Sequence, residues 1–304
     1  MVKRVLVCNP IDEAAIKMLE DAGLEVDQKF DMSKEELTET VPPYHALIVR
    51  SSTKVREPTL DAAENLEVIG RPGIGLDNID VDYAEDKGIA VYNTPMATTY
   101  SVAELAMTHI LAAFRDIVAG TNSLRNNEWI KKQLKSHELY EKTLGIIGYG
   151  HIGRAVAERA HAFGMNVIAY DVIDVDDPAP AKMVDMDELL EQSDVITIHV
   201  PHIPPTHHLL SSEVFKKMKE TAVLVDCSRG GVVDEDALYD ALTNGEIKFA
   251  SKDVFEEEPP KDNPLLELDN FHATPHIGGQ TFEGGKRAGT QAAEQVIEEL
   301  EKRG

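Results

Sequence analysis

The sequence predicts an α/β protein of two domains, each built on a parallel β-sheet. Three observations predict this class. Short apolar runs alternate with amphipathic helical segments in two blocks of the chain, a pattern typical of parallel sheets. One long amphipathic segment separates the blocks, and the 304 residues exceed what a single hydrophobic core usually holds.

The first block predicts a small parallel sheet. Amphipathic segments such as 11–22 and 58–64 lie between its apolar runs. We expect its five strands at residues 4–8, 24–28, 45–49, 66–70 and 89–92. Residues 101–119 follow, with apolar side chains on one helical face, and predict the crossover to the next domain.

The second block predicts a larger, doubly wound parallel sheet with helices on both faces. We expect its six strands near residues 144–148, 166–170, 194–199, 222–226, 248–253 and 271–274.

The glycine turn after the first of these strands predicts a dinucleotide site of the Rossmann type. Gly148 allows the tight turn, Gly150 lets the backbone approach a pyrophosphate, and Gly153 permits close packing of the following helix. The next strand ends in Asp171, 18 residues beyond Gly153, where a carboxylate can accept ribose hydroxyls. Because a negative charge there would repel a 2′-phosphate, we expect the cofactor to be NAD rather than NADP.

Three side chains that can assist the oxidation of a 2-hydroxy acid by a bound nicotinamide follow the last strands of this block. His276 can accept and return the proton of the C2 hydroxyl, and Glu258 can hold its other ring nitrogen. Arg229 can clamp a carboxylate through two parallel hydrogen bonds. Since the carboxyl ends of parallel strands share one edge of a sheet, we expect one cleft to hold all three; a structural ion cluster is the competing interpretation.

Charge, hydropathy and cysteine spacing exclude several classes of protein. The 54 acidic and 30 basic residues give a net charge of -24, which argues against nucleic-acid and anionic-membrane partners. No apolar stretch reaches the ~20 residues of a membrane span, and the first residues predict a strand rather than a signal peptide, so we expect a cytoplasmic protein. Cys8 and Cys227 show neither disulfide-framework nor Cys-x-x-Cys spacing and are expected to be reduced thiols.

The histidines outside this set do not predict a metal site. Four of them crowd residues 199–208, but prolines make this segment an irregular turn, and no carboxylate spacing completes a ligand set. His109 lies on an apolar helix face and is expected to be a hydrogen-bonded core residue.

Together with residues 49–55, 70–80, 88–95 and 101–105, these motifs give nearly the whole chain a resemblance to the D-2-hydroxyacid dehydrogenases, most of all to the short D-3-phosphoglycerate dehydrogenases. The resemblance implies that Arg229, Glu258 and His276 are the catalytic set. It also implies an active site between two domains and a homodimer built mainly on the dinucleotide domains. The domains it implies are a flavodoxin-like substrate domain at 1–98 and 283–304, and an NAD-binding domain at 99–282.

The resemblance also assigns binding residues. The implied cofactor contacts are Gly148, Gly150, His151, Ile152, Gly153, Asp171, Val200, Cys227, Asp253 and Ile74. The implied contacts to a small anionic 2-hydroxy or 2-keto acid are Arg50, Ser51 and the backbone from Gly73 to Gly75. Two positions depart from the family pattern, because Thr98 replaces an Asn and Lys252 replaces an apolar residue.

Several functions are compatible with these residues. Arg50 with Lys54 favours a phosphate, and thus 3-phosphoglycerate and 3-phosphohydroxypyruvate of serine biosynthesis. The alternative is reduction of glyoxylate, hydroxypyruvate or another 2-keto acid, with residues 96–100 lining the pocket. The intact catalytic set disfavours an NAD-sensing corepressor of related fold, and Glu258 disfavours a formate dehydrogenase, in which Gln is expected there.

Overall fold

Two units of packed helices and strands make up the computed structural model, which describes residues 2–304. The first unit runs to Thr99 and resumes over Gly279–Gly304, and the second comprises Tyr100–Gly278. Each unit carries one sheet whose strands are all parallel. The prediction of an α/β protein with two parallel sheets is therefore confirmed.

The first unit contains a five-stranded sheet. Its strands are β1 (Arg4–Val7), β2 (Glu25–Gln28), β3 (Ala46–Ile48), β4 (Val68–Arg71) and β5 (Ala90–Asn93). Its helices are α1 (Glu13–Asp21), α2 (Lys34–Thr40), α3 (Glu57–Ala62), α4 (Val81–Asp86) and the C-terminal α11 (Phe282–Lys302). The strand order β2-β1-β3-β4-β5 is flavodoxin-like. The long helix α11 packs against α1 and β4, and its Val296 shares an apolar cluster with Val5 and Ile48.

The second unit contains a seven-stranded sheet in the order β12-β11-β10-β9-β6-β7-β8. These strands are β6 (Thr143–Ile147), β7 (Asn166–Tyr170), β8 (Lys182–Met183), β9 (Val195–Ile198), β10 (Val223–Asp226), β11 (Phe249–Lys252) and β12 (Phe271–Ala273). The helices are α5 (Thr99–Phe114), α6 (Ile117–Arg125), α7 (His151–Ala162), α8 (Met186–Gln192), α9 (Ser212–Phe215) and α10 (Glu235–Thr243). Val223 and Val225 join one apolar cluster and Leu224 joins another, because alternate residues of a strand face opposite sides of the sheet.

Two details differ from the sequence-based expectation. The second sheet has seven strands instead of six, because the edge strand β8 is only two residues long and carries no readable pattern. The crossover segment 101–119, expected as one helix, breaks between α5 and α6, where Asp116 adopts a left-handed φ of 50° that no continuous helix tolerates.

The sheet order of the second unit decides where its loops meet. The chain reverses its direction of winding at β6, which lies between β7 and β9, and this is the point where ligands bind in open parallel sheets. The strands β10, β11 and β12 are consecutive neighbours, so the loops after them meet at one edge. Within residues 2–304, no helix combines the length and the apolar character of a membrane span.

Candidate active site

The three predicted catalytic side chains lie on the loops that follow β10, β11 and β12. Arg229 follows β10, Glu258 follows β11 and His276 follows β12. Because these strands are parallel neighbours, their carboxyl ends bring the three loops together in the second unit.

Glu258 and His276 are in direct contact. The Nδ1 atom of His276 lies 2.8 Å from Oε2 and 3.0 Å from Oε1 of Glu258. This hydrogen bond is the main reason why the pKa of His276 is raised above its usual value, against the opposing effects of burial and of the charge on Arg229. The proton on Nδ1 is therefore held by the carboxylate, which leaves Nε2 as the ring nitrogen available for proton transfer.

The carboxyl group of Glu258 is kept ionised by its neighbours. Partial burial acts to raise its pKa, but the hydrogen bond with His276, the backbone N–H of Phe255 and the charge of Arg229 together bring the pKa below its usual value. The Phe255 N–H donates to Oε1 at 3.1 Å. The pair is thus a carboxylate facing an imidazole that readily becomes charged.

Arg229 is half-buried and held by its own loop. Its Nη1 donates to the carbonyl oxygen of Ser228 at 2.7 Å. Its positive charge adds to the lowering of the pKa of Glu258 and partly opposes the rise in the pKa of His276, so the guanidinium is within electrostatic range of the pair. A guanidinium in this position can bind a carboxylate with two hydrogen bonds.

The loop that carries His276 is anchored by Asp253. This carboxylate is almost fully buried, at 1% exposure, and accepts the backbone N–H groups of Ile277 at 2.8 Å and Gly278 at 2.7 Å. Its other donor is Thr274 Oγ1 at 2.5 Å. His276 itself adopts a left-handed φ of 53°, which costs roughly 1–2 kcal/mol for a residue with a Cβ, and the bonds to Asp253 offset that cost.

A buried histidine of α5, His109, contacts the same loop through Thr274. His109 Nε2 lies 3.0 Å from Thr274 Oγ1, and His109 Nδ1 lies 2.6 Å from Ser251 Oγ. Both ring nitrogens are therefore partnered, and burial lowers the pKa of His109 so that it stays neutral. The expectation of a hydrogen-bonded core histidine is confirmed.

The glycine turn after β6 is shaped by close backbone contacts. Gly148 has a φ of 91°, and a Cβ there would lie 2.6 Å from the carbonyl oxygen of His199. A Cβ on Gly153 would overlap the carbonyl oxygen of Gly148, whereas a Cβ on Gly150 would meet nothing within 4 Å. Helix α7 begins directly after Gly150 and no side chain caps it, so its first N–H groups can bind a phosphate. The turn fits a pyrophosphate.

Asp171 follows β7 beside this turn. Its Oδ2 accepts the N–H of Tyr149 at 2.7 Å and its Oδ1 accepts the N–H of Ile173 at 3.0 Å. Each carboxylate oxygen has a second lone pair, so the group can still accept ribose hydroxyls. The next two residues, Val172 and Ile173, are 85% and 72% exposed, so apolar surface borders this carboxylate.

The other predicted cofactor residues are distributed between the two units. Val200 lies against Gly148, and Cys227 is buried beside Asp226 and Asp253, so that burial first and the two charges second raise the pKa of its thiol well above the usual value. His151 and Ile152 form the first turn of α7, and Ile74 lies in the first unit. The thiols of Cys8 and Cys227 are free, as expected.

The predicted substrate residues all lie in the first unit. Arg50 Nη2 lies 3.4 Å from Gln280 Oε1, and Ser51 is exposed. The N–H of Gly73 already donates to Thr94 Oγ1 at 2.7 Å, so this amide is occupied within the protein; Gly75 follows in the same partly buried loop.

Two asparagines that sequence reasoning missed hold the Arg50 loop. Asn9 Oδ1 accepts the N–H of Arg50 at 2.6 Å, and Asn78 Nδ2 donates to the carbonyl oxygens of Arg50 at 3.1 Å and Thr53 at 2.7 Å. Both asparagines are at most 6% exposed, and a buried amide following a strand was the signal that could have identified Asn9.

The histidines of residues 199–208 do not form a ligand set. Burial alone lowers the pKa of His199 to about 3, and His202 Nε2 lies 3.1 Å from His207 Nδ1. Across residues 2–304, no group of three or more His, Cys, Asp or Glu side chains is arranged to hold a metal ion.

Known proteins resemble this chain in both sequence and fold. Residues 107–278 match the family model described as "D-isomer specific 2-hydroxyacid dehydrogenase, NAD binding domain". A D-3-phosphoglycerate dehydrogenase of Methanocaldococcus jannaschii is 51% identical over 96% of this chain, but the chain spans only 56% of that protein. A hydroxypyruvate reductase of Thermotoga maritima is 46% identical over 98% of both chains. The crystal structure of a glyoxylate reductase from Paecilomyes thermophila has a TM-score of 0.92 at 30% identity, covering 99% of this chain and 96% of that one.

Proposed function

Because the chain belongs to the D-isomer specific 2-hydroxyacid dehydrogenase family, we propose that it transfers a hydride between NAD and a small D-2-hydroxy acid. The observation that carries this proposal is the contact of His276 with Glu258 inside the positive field of Arg229. The matched family model is that of the NAD-binding domain, and the glycine turn and Asp171 have the donors and acceptors that such a dinucleotide requires.

Each of the three side chains has its own role in the proposed reaction. His276 Nε2 takes the proton of the C2 hydroxyl during oxidation and returns it during reduction. Glu258 holds Nδ1–H and stabilises the imidazolium that forms. Arg229 clamps the substrate carboxylate and polarises the carbonyl oxygen. NAD, when bound, supplies the hydride acceptor, or in its reduced form the donor.

The residues that would hold the cofactor are those around the glycine turn. The N–H groups of His151 and Ile152 would bind the pyrophosphate, and Asp171 would accept the ribose hydroxyls. Val200, Cys227, Asp253 and Ile74 would make the further cofactor contacts that the family pattern implies. In this proposal residues 99–282 bind NAD, and residues 1–98 with 283–304 bind substrate through Arg50, Ser51 and the Gly73–Gly75 backbone.

For the substrate we propose 3-phosphohydroxypyruvate and 3-phosphoglycerate, which would place the reaction in serine biosynthesis. The 51% identity to a D-3-phosphoglycerate dehydrogenase and the guanidinium of Arg50 support this choice. A second candidate is hydroxypyruvate or glyoxylate, because the match to the hydroxypyruvate reductase extends over 98% of both chains.

A panel of 2-keto acids tests both candidates. The purified chain is mixed with NADH and 3-phosphohydroxypyruvate, hydroxypyruvate, glyoxylate or pyruvate, and the loss of NADH absorbance is followed. We expect the highest kcat/KM with 3-phosphohydroxypyruvate. A preference for hydroxypyruvate or glyoxylate would select the second candidate, and no oxidation of NADH with any of them would contradict the proposed activity.

We also propose that the protein is a cytoplasmic homodimer. Large apolar side chains of the second unit remain exposed and could be covered by a second copy: Ile117, Leu124, Trp129, Tyr140 and Phe163. Light scattering coupled to size-exclusion chromatography measures the mass, and a mass equal to the 33.5 kDa of one chain would contradict the dimer.

A further inference from the structure

A charged side chain is buried at the carboxyl end of β11, the strand next to the edge strand β12 of the second sheet. Lys252, in β11, has no exposed surface, and its Nζ lies 3.3 Å from Asp226 Oδ2 and 3.3 Å from Glu235 Oε1. Asp226 is also fully buried, and Glu235 is 13% exposed. Burying three charged groups carries a desolvation penalty of several kcal/mol per ion, and apolar replacements of such clusters are often equally stable. The arrangement therefore calls for a role besides stability.

Asp226 connects the lysine to the loop of Arg229. While Oδ2 faces Lys252, Oδ1 accepts the N–H of Ser228 at 3.0 Å and the Ser228 hydroxyl at 2.6 Å. The carbonyl oxygen of Ser228 in turn accepts Nη1 of Arg229 at 2.7 Å. The position of the guanidinium thus depends on an aspartate that Lys252 holds.

Glu235 connects the same lysine to the loop of Glu258. Its Oε1 accepts the N–H of Glu256 at 3.0 Å, and its own N–H donates to Glu256 Oε1 at 3.2 Å. These two bonds join the first turn of α10 to the turn that ends in Glu258. The two loops also pack backbone against backbone, since a Cβ on Gly230 would overlap the carbonyl oxygen of Phe255.

We propose that Lys252 is a positioning residue that fixes the Arg229 loop against the Glu258 loop by holding Asp226 and Glu235 with one ammonium group. The expected effect of Lys252 on turnover rests on the proposed dehydrogenase function. Its expected effect on the order of the two loops is independent of that function. Without the ammonium, two largely buried carboxylates would face the same space with no counter-charge, and both loops would shift to hydrate them.

A set of three variants tests this role: Lys252→Met, Asp226→Asn, and the two combined. Lys252→Met should lower kcat/KM by about 10-fold or more in folded protein, because small displacements of catalytic groups have large effects on rate. It should also speed hydrogen–deuterium exchange in peptides that contain Ser228 and Glu256. The double variant should recover kcat/KM to within a few-fold, because the amide oxygen of the introduced asparagine would still accept from Ser228 and one uncompensated charge is gone.

The control is Lys248→Met, which removes an exposed lysine just before the same strand and should change neither quantity. Unchanged exchange and kcat/KM within twofold in folded Lys252→Met would overturn the proposal, as would a double variant no better than Lys252→Met. If Lys252→Met does not fold, Lys252→Gln decides, because its amide can still donate to the two carboxylates but supplies no counter-charge, so exchange at Ser228 and Glu256 should be faster than in wild type; unchanged exchange there would overturn the proposal too. Exchange needs no turnover, so an inactive wild-type chain would refute the proposed function and leave this test intact.

Discussion

Glu258 holds His276 through both carboxylate oxygens, which lie 2.8 and 3.0 Å from Nδ1. This contact determines which ring nitrogen remains available for proton transfer and in which direction the pKa of the imidazole shifts. The hydrogen bond raises the pKa of His276, so the imidazolium persists to higher pH than for a free histidine.

Glu258→Gln should move the His-linked limb of the pH–rate profile to lower pH. A neutral amide no longer stabilises the imidazolium, so the pKa of His276 falls. In the oxidation direction, where the free base is needed, activity then appears at lower pH; in the reduction direction, where the acid is needed, it is lost at lower pH. The neighbouring Glu257→Gln is the matched control, and an unmoved limb in Glu258→Gln would show that Glu258 is not the partner of His276.

His276→Ala should lower kcat by ~10²-fold or more while NADH binding is kept, because general acid–base catalysis contributes about that factor. The kinetics are measured beside a fluorescence titration with NADH. His161→Ala, an exposed histidine of α7, is the control. Near-normal turnover by folded His276→Ala would remove this residue from the mechanism.

Arg229→Lys should be costly although the charge is conserved. A lysine cannot form the two parallel bonds to a carboxylate, and one charge-assisted bond of about 1.5–3 kcal/mol corresponds to a loss of ~10 to 100-fold in kcat/KM. The loss should be seen with every 2-keto acid of the panel, since the carboxylate is common to all. The exposed Arg115→Lys is the control, and equal kcat/KM for Arg229→Lys and wild type would mean that Arg229 does not clamp the substrate.

The fold was predictable because parallel strands covered on both faces are continuous apolar runs. The runs that became β1, β6 and β10 needed no tertiary information. The two-residue β8 had no pattern to read, and the break at Asp116 depends on one left-handed residue inside an otherwise helical sequence. The positions of the buried strands, and their alternation with helices, can thus be read from local sequence. The pairing of an edge strand and the break in a helix cannot.

The residues that would carry out the chemistry could be predicted from the sequence. The residues that position them could not. His276 and Glu258 could be chosen from their types and their places after strands. The anchoring role of Asp253 could not be predicted in this way. It depends on two backbone N–H groups of the His276 loop, and every residue type other than proline has such a group. Lys252 was visible as an anomaly in a buried strand, but its partner Glu235 lies 17 residues earlier, on a helix.

Asp171→Ala should shift the cofactor preference toward NADPH. The carboxylate that would accept the ribose hydroxyls is lost, and so is the charge that would repel a 2′-phosphate. The ratio of kcat/KM for NADH over NADPH should fall at least ~10-fold, which is the effect of one lost hydrogen bond to a charged group. Asp174→Ala removes an exposed charge three residues further on and should leave the ratio unchanged. A ratio equal to that of wild type in Asp171→Ala would place the ribose elsewhere.

Gly150→Ala and Gly153→Ala should separate cofactor binding from packing. A Cβ on Gly153 would overlap the carbonyl oxygen of Gly148, so α7 must move away from β6 and stability should fall by about 1–3 kcal/mol. A Cβ on Gly150 meets nothing within 4 Å, and its φ of -78° suits any residue, so the melting temperature should be kept. If the pyrophosphate lies against Gly150, however, the new methyl group occupies its place, and the Kd for NADH should rise at least ~10-fold as phosphate contacts to the backbone are lost. Unimpaired NADH binding by a stable Gly150→Ala would move the pyrophosphate away from this turn.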